Sequence, residues 1–400
     1  MDVRPGVGPA EQGALSRAEL AGVAPIERWA VTGSNQKMTY ATHGIFRYFG
    51  KFPPPIAMVL LDRHTHPGDL VWDPTSGSGT TGVEAVLHGR RSLLSDVNPL
   101  ALMLATVKTT HLGAEDTLPA IDRVRSAYAE LLGAPGLPAP VGLRNAEHWF
   151  LPETTASLAA LREACEREPD EQVRRLLMVA FAAVVRRVSR ATTQQGRLFL
   201  DAATAVQNAL PLFVDKATRA AERVAELPEA APGDVTIWEH DIRSPSLDRP
   251  THEAGLVIVH PPYFNAYRYS SVNSLELAWL GIPPADVRRS EVREHFKVGK
   301  AEKVTEYVDD MAAVMRNICT ATSSGTVVAL MIGDTVMHGE HIPVVKMLLD
   351  ATRSLPLELE LLCLREPRFS EASWVASQRR NKTGLGSQLS DYILIFRRRP

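Results

Sequence analysis

The 400-residue sequence predicts an α/β fold: a doubly wound, mostly parallel sheet with an antiparallel hairpin at its end and a helical domain inserted into it. Three observations predict it. Short apolar runs that read as buried strands alternate with stretches of helical period. Two of those runs stop on abrupt punctuation, "DPTSGSGTT" after Leu70–Trp72 and "HPPY" after Leu256–Val259. Between these two points lies a long stretch whose apolar residues recur at helix spacing throughout.

Composition sets the frame. With 45% hydrophobic and 22% charged residues the chain is that of a folded protein, long enough for one large domain or two ordinary ones. Cys165, Cys319 and Cys363 lie far apart and match no zinc or redox spacing, so they are expected to be buried packing residues in a reducing cytoplasm, and no metal site is expected. No apolar run approaches the ~20 residues needed to cross a bilayer, and the N-terminus lacks a charged-then-apolar signal. The expectation is a soluble cytoplasmic protein without membrane contact. The net charge of -2 removes the simplest argument for a nucleic-acid partner, which then requires a local basic face.

The elements follow in order. Residues 1–35 are expected to form a mobile tail, because Met1–Ala24 is rich in Ala, Gly, Pro and Glu without a sustained apolar period. At most one short helix is expected there, near Ser16–Leu20. Residues 36–112 hold the first part of the core: strand Leu70–Trp72, a glycine turn, helix Thr80–Leu87 stopped at Gly89, and strand Arg91–Ser95 ending at Asp96. Residues 113–232 read as helical almost throughout, with Val173, Leu176, Leu177, Ala180, Phe181, Val184 and Val185 on one stripe, and "DAATAVQNALPLFVDKATRAAERVAEL" continuing that pattern. Residues 233–400 return to strands: Val235–Trp238 before Asp241, Leu256–Val259, and Thr326–Met331 after a helix around Tyr307–Thr320. Leu357–Leu364 and Tyr392–Phe396 read as the closing antiparallel pair.

Chemistry gathers at the strand tips. Gly77 and Gly79 allow a sharp turn and close approach of a ligand at the carboxyl end of the first strand, where open α/β sheets bind ligands. Asp73 at that tip is placed to accept a hydrogen bond from a ligand amine. No Lys follows the glycines, so the turn is not a phosphate-binding P-loop. Asp96, at the next strand's tip, is the group that grips ribose hydroxyls in such folds, which favours a nucleoside-containing cofactor. At the second tip, the prolines of "HPPY" cannot continue the strand of Val257–Val259 and fix the backbone. An acceptor side chain and a rigid carbonyl there are suited to an exocyclic amine, whose lone pair they localise by binding its two hydrogens.

"DPTSGSGTT" resembles the cofactor motif of the DNA amino-methyltransferases, and "HPPY" resembles their catalytic motif, mostly Asp-, Asn- or Ser-Pro-Pro-Tyr. "GKFPPPIAMVLL" (Gly50–Leu61) is similar to that family's upstream Lys-Phe-x-Pro segment, and "SDVNP" (Ser95–Pro99) to its ribose-contacting acid. The resemblance covers about Thr42–Lys108 and Gly233–Phe396. It implies a Rossmann-like fold that uses S-adenosyl-L-methionine to methylate an amino group of a DNA base, cytosine N4 or adenine N6. Asp73, Pro74 and Thr75 with the turn Gly77, Ser78, Gly79 and Thr80 then hold the methionine part of the cofactor, Asp96 its ribose and Asp241 its adenine amine. Phe52 and Pro53 line the pocket. His260, Pro261, Pro262 and Tyr263 receive the base, and Tyr263 offers it a stacking face once it is flipped from the duplex. His260 departs from the family pattern; a neutral imidazole still carries one acceptor nitrogen.

Around that tip, Phe264 and Tyr267 are expected to stack on bases and Arg268 to reach a phosphate. From Arg365 to Pro400, eight Arg or Lys face Glu366, Glu371 and Asp391, and Arg379, Arg380 and Lys382 in "QRRNKTGLGSQ" are the expected backbone contacts. Arg186, Arg187 and Arg190 form a second basic group. The helical block sits where one motif order of the family places target recognition, and a restriction or defence partner is expected with it. The rival readings keep the cofactor but change the acceptor to RNA or to a small-molecule or peptide amine, or describe a catalytically silent nucleic-acid-binding homologue.

Overall fold

In the computed structural model the described residues are 2–4, 24–30, 38–194, 197–203, 207–231, 233–245, 249, 251–264, 269–292, 302–337, 340–365 and 391–400. Their strands are β1 (Asp2–Arg4), β2 (Ile26–Ala30), β3 (Leu70–Asp73), β4 (Arg91–Asp96), β5 (Ala191–Gln194), β6 (Arg197–Leu200), β7 (Val235–Glu239), β8 (Ala254–Val259), β9 (Val327–Gly333), β10 (Thr335–Met337), β11 (Glu340–Ile342), β12 (Leu357–Arg365) and β13 (Asp391–Arg398). The long helices are α1 (Pro54–His64), α2 (Thr80–Leu87), α3 (Pro99–Thr109), α4 (Ala114–Leu131), α5 (Pro152–Glu166), α6 (Glu171–Val185), α7 (Ala209–Ala225), α8 (Glu302–Ala321) and α9 (Val344–Ala351).

Successive residues of the central strands face opposite sides of the sheet, and both sides are covered. Trp72, Val257, Val259 and Leu330 pack against Met311, Val314, Met315 and Ile318 of α8. Val71, Leu256, Ile258 and Ala329 pack on the other face against Ile56, Leu60 and Leu61 of α1. Burial on both faces is why these strands read as continuous apolar runs rather than as alternation. The described sheet runs β1-β2-β12-β13-β9-β8-β3-β4-β7. β9, β8, β3, β4 and β7 run parallel to one another. β13 is antiparallel to both β9 and β12, the expected closing hairpin.

The order places a topological switch between β3 and β8. From β3 the chain moves outward to β4, whereas from β8 it moves the other way, to β9. The helices and loops leaving the two strands diverge, and a crevice opens outside their carboxyl ends.

Four differences from the sequence reading stand out. Within the expected tail 1–35, Asp2–Arg4 and Ile26–Ala30 are strands of the main sheet, with β2 parallel to β12. Five residues are too few to show a period, and the signal that remained was Trp29, which is buried. The helical block holds an antiparallel hairpin, β5–β6, with Thr192 opposite Phe199 and Thr193 opposite Leu198. The stretch from Asp201 does not continue the helical pattern at once: α7 begins at Ala209, where the Asn208 side chain accepts the Leu210 N–H at 3.2 Å. Finally, the apolar core of α4–α7 also takes in Leu100, Leu104 and Val107 of α3, Tyr48, and Leu275, Leu277 and Trp279. No described helix is long and apolar enough to cross a membrane.

Candidate active site

The turn after β3 is built from its carboxylate outward. Asp73 is buried, and accepts the Thr75 N–H at 3.1 Å and the Thr81 hydroxyl at 2.5 Å, pinning the strand end to the first turn of α2. Burial drives its pKa up to about 7; the bonds from Thr81 and Thr75 oppose this and the Asp96 charge adds to it. Gly77 and Gly79 have φ of 50° and 79°, the left-handed region that disfavours a Cβ. A Cβ on Gly79 would lie 2.9 Å from the Ala105 Cα, so this glycine also lets α2 and α3 touch. Behind the turn Lys108, itself buried, donates to the Ser78 carbonyl at 2.7 Å. Burial holds its ammonium well below the usual range.

Asp96, at the end of β4, accepts the Gly77 N–H at 2.8 Å and the Asn98 N–H at 2.9 Å, so the second acid shapes the glycine turn directly. Asp241, just beyond β7, is gripped by Arg243 through bonds of 2.9 and 2.7 Å. Burial raises its pKa, but Arg243 outweighs that and holds the carboxylate below its ordinary range. Arg243 also donates to the Ser290 carbonyl at 2.8 Å, tying the 290–292 segment to the same wall.

β8 stops at Val259, and the next amide turns to the neighbouring tip: His260 N–H donates to the Thr75 hydroxyl at 3.0 Å. The His260 ring sits edge-on between Phe52, at 5.2 Å, and Tyr263, at 5.3 Å. Enclosure pushes its pKa down to about 4; Asp391 pulls it up and Arg365 down again. Tyr307 of α8 donates its hydroxyl to the Pro262 carbonyl at 2.7 Å, holding the second proline in place.

Both tips open into one cleft of about 760 Å³, open solvent at its mouth included. Its walls bring together Phe52, Pro74, Thr75, Gly77, Ser78, Thr80, Asp96, Asp241, His260 and Pro262. Asp73, Pro53 and Gly79 lie behind these walls: Pro53 caps α1, and Asp73 and Gly79 shape the turn. Tyr263 is half-buried beside His260, and Pro261 is buried. Phe264 corrects an expectation. It is buried against Tyr307, ring centroids 5.5 Å apart, and serves the core rather than a base. Tyr267, Arg268, Arg379, Arg380 and Lys382 lie outside the described residues. Of the other basic side chains counted near the C-terminus, Arg365 pairs with Asp391, Arg397 with Glu360 and Arg399 with Glu358, and Arg398 donates to the Cys319 carbonyl. These partners tie them to the ends of β12 and β13, interior strands of the sheet.

Sequence reasoning missed several wall residues. Lys51, whose ammonium donates to the His43 carbonyl at 2.9 Å, brings a cation to the cleft; burial first, then the Arg223 charge, lowers its pKa to about 8. His240 stacks flat on Trp238 at 3.9 Å, and Glu291 accepts from Asn98 at 3.5 Å. The signal for Lys51 was present, adjacent to Phe52 in a segment already singled out. A lone Lys108 in an otherwise apolar helix was also legible. Among the described residues no cluster of His, Cys, Asp or Glu is arranged to hold a metal.

Fold and cleft together define a Rossmann-like α/β protein with its candidate site at the switch between β3 and β8. Residues 11–106 match the N6_N4_Mtase family model, described as DNA methylase. The chain is 40% identical over 75 residues to the Type II methyltransferase M.MjaII of Methanocaldococcus jannaschii, a stretch covering 19% of this chain and 14% of that protein. It is 26% identical over 134 residues to the Type II methyltransferase M.MvaI of Kocuria varians, covering 32% of this chain and 30% of the relative. The match thus spans under a third of either relative. Among solved structures, TrmN from Thermus thermophilus aligns at 11% identity over 87% of this chain and 49% of its own, with a TM-score of 0.35. The rRNA methyltransferase aviRa from Streptomyces viridochromogenes aligns at 15% identity over 72% and 78%, with a TM-score of 0.28.

Proposed function

We propose that the chain transfers a methyl group from S-adenosyl-L-methionine to the exocyclic amine of a DNA base, cytosine N4 or adenine N6. The observation that carries this reading is the single cleft shared by the glycine turn at Gly77 and the tip at His260 and Pro262. The donor set suits the cofactor: Asp96 for hydroxyls, Lys51 for a carboxylate, and Phe52, Val97 and Ile242 as apolar walls. Bound there, the cofactor supplies an electrophilic methyl group on a sulfonium.

The protein's own residues then act on the amine. The His260 imidazole and a backbone carbonyl of the rigid proline pair accept its two hydrogens. Two acceptors draw the nitrogen toward a pyramidal shape with a localised lone pair, which no covalent enzyme intermediate is needed to exploit. With its pKa near 4, His260 is a neutral hydrogen-bond acceptor at physiological pH and not a base that keeps the proton. Rigid prolines hold the acceptors in place before the base arrives. Tyr263 is the surface on which a flipped base stacks. The names of the two curated relatives support methyl transfer, and a restriction or defence partner is part of the same reading.

The test is incubation with tritiated cofactor and separate pools of duplex DNA, RNA and cell metabolites, followed by digestion of the labelled pool to nucleosides. Label in an N-methylated amino base of DNA is expected. Label confined to RNA or to metabolites, or none in any pool, overturns the reading.

A further inference from the structure

The helical block carries a guanidinium that contacts segments flanking both halves of the cleft. Arg186, at the end of α6, is largely enclosed, and its Nη2 lies 2.6 Å from the Glu276 carboxylate. The same nitrogen donates to the Val272 carbonyl at 2.7 Å and to the Asn273 side chain at 3.1 Å. Nη1 donates to the Thr193 hydroxyl of β5 at 3.3 Å. The plane lies over the Phe49 ring at 5.5 Å, and Phe49 stands between Tyr48 and Gly50, both of which line the cleft.

These partners come from two parts of the chain that must be held in register. Val272, Asn273 and Glu276 belong to the segment that follows the target tip; Phe49 belongs to the segment that leads to Lys51 and Phe52. We propose that Arg186 is a positioning residue through which the helical block sets the segment after the target tip against the cofactor half of the cleft. This rests on the methyltransferase reading for its functional consequence.

The chemistry favours arginine specifically. One planar group places Nη2 beside three acceptors of one segment and Nη1 at the hairpin while the guanidinium carbon lies over an aromatic ring. An ammonium has three donors, no plane, and a compact hydration shell. The surroundings are built for the pair: Glu276 is buried, and burial raises its carboxyl pKa while Arg186 pulls it back down. Trp279, one turn further on, packs edge-on against Phe150 and Phe181 of the helical block at 5.7 and 6.4 Å. The apolar contact fixes the short helix Ser274–Trp279 to the block, and the ion pair fixes its orientation.

The experiment compares the wild-type protein with Arg186→Lys and with the paired variant Arg186→Met, Glu276→Met, which leaves no buried charge alone. Hydrogen–deuterium exchange, cofactor affinity and single-turnover methyl transfer are measured on each. Arg186→Lys is expected to raise exchange several-fold in 269–281 and 47–50 and leave 73–80 unchanged. Cofactor affinity is expected to stay within about threefold while the transfer rate falls about tenfold or more. That is an apparent loss of about 1.4 kcal/mol per factor of ten, from transition-state alignment alone. Unchanged exchange in 269–281 in both variants, or a parallel fall of cofactor affinity and rate, overturns the proposal. If the wild-type protein transfers no methyl group, the methyltransferase reading falls, and the exchange comparison still decides whether Arg186 sets the two segments.

Discussion

The His260 backbone N–H donates to the Thr75 hydroxyl at 3.0 Å, so the tip of β8 and the turn after β3 are joined directly rather than only facing each other. The relative placement of turn and tip is then set by this side chain in addition to the pairing of β3 with β8. Thr75→Val keeps the shape and removes the acceptor, leaving the amide without this partner, a cost of about 1–3 kcal/mol. The expected result is a transfer rate lower by about tenfold or more, largely restored by Thr75→Ser. An unchanged rate in Thr75→Val shows that the link does not set the geometry.

Gly79 tests the turn itself. Its φ of 79° and the 2.9 Å approach of an added Cβ to Ala105 act in the same direction. Gly79→Ala is expected to lower stability by about 1–3 kcal/mol, read as a drop in thermal midpoint, and to weaken cofactor binding. A variant with wild-type midpoint and affinity contradicts the packing described.

Asp96 has two roles, and a single substitution separates it from its neighbours. It receives two backbone N–H groups of the turn and faces the cleft. Bonds to a charged acceptor contribute about 1.5–3 kcal/mol each, so Asp96→Asn should cost at least about tenfold in cofactor affinity. Calorimetric titration checks this. An affinity within twofold of wild type removes Asp96 from the cofactor wall.

The pH dependence has a defined sign. The folded pKa of His260, about 4, lies below its ordinary 6.5, so the unfolded chain takes up the proton more readily. The stability that this group contributes is present above pH 6.5 and is lost as the pH falls through about 4. The neutral acceptor persists over the same range. The methyl-transfer rate is therefore expected to show no inflection at 6.5 that depends on His260, and an inflection there that disappears in His260→Asn contradicts the assignment.

What the sequence disclosed, and what it did not, follows from the range of the interactions. β3, β4 and β8 were legible because burial on both faces leaves an apolar run, and the turns were legible because Gly77, Gly79 and the two prolines punctuate them. In the closing hairpin β13 was legible for the same reason, and β12 from its run of leucines. β2 was not, since its place depends on pairing with β12 more than 300 residues away. Phe264 looked like a stacking ring because an aromatic beside a catalytic motif has no local mark that tells core from surface. Arg186 looked like a basic patch for the same reason; its partners at Val272, Asn273 and Glu276 are brought to it only by the fold. Short-range signals found the tips, and tertiary contacts decided which side chains serve them.

The most direct test of the shared cleft is single-turnover methyl transfer to duplex DNA by the wild-type protein and by His260→Ala, with cofactor affinity measured on both. A cleft with separate donor and acceptor walls predicts cofactor affinity within about threefold and a transfer rate lower by about a hundredfold, a difference near 2.7 kcal/mol. Transfer at the wild-type rate by His260→Ala would contradict it.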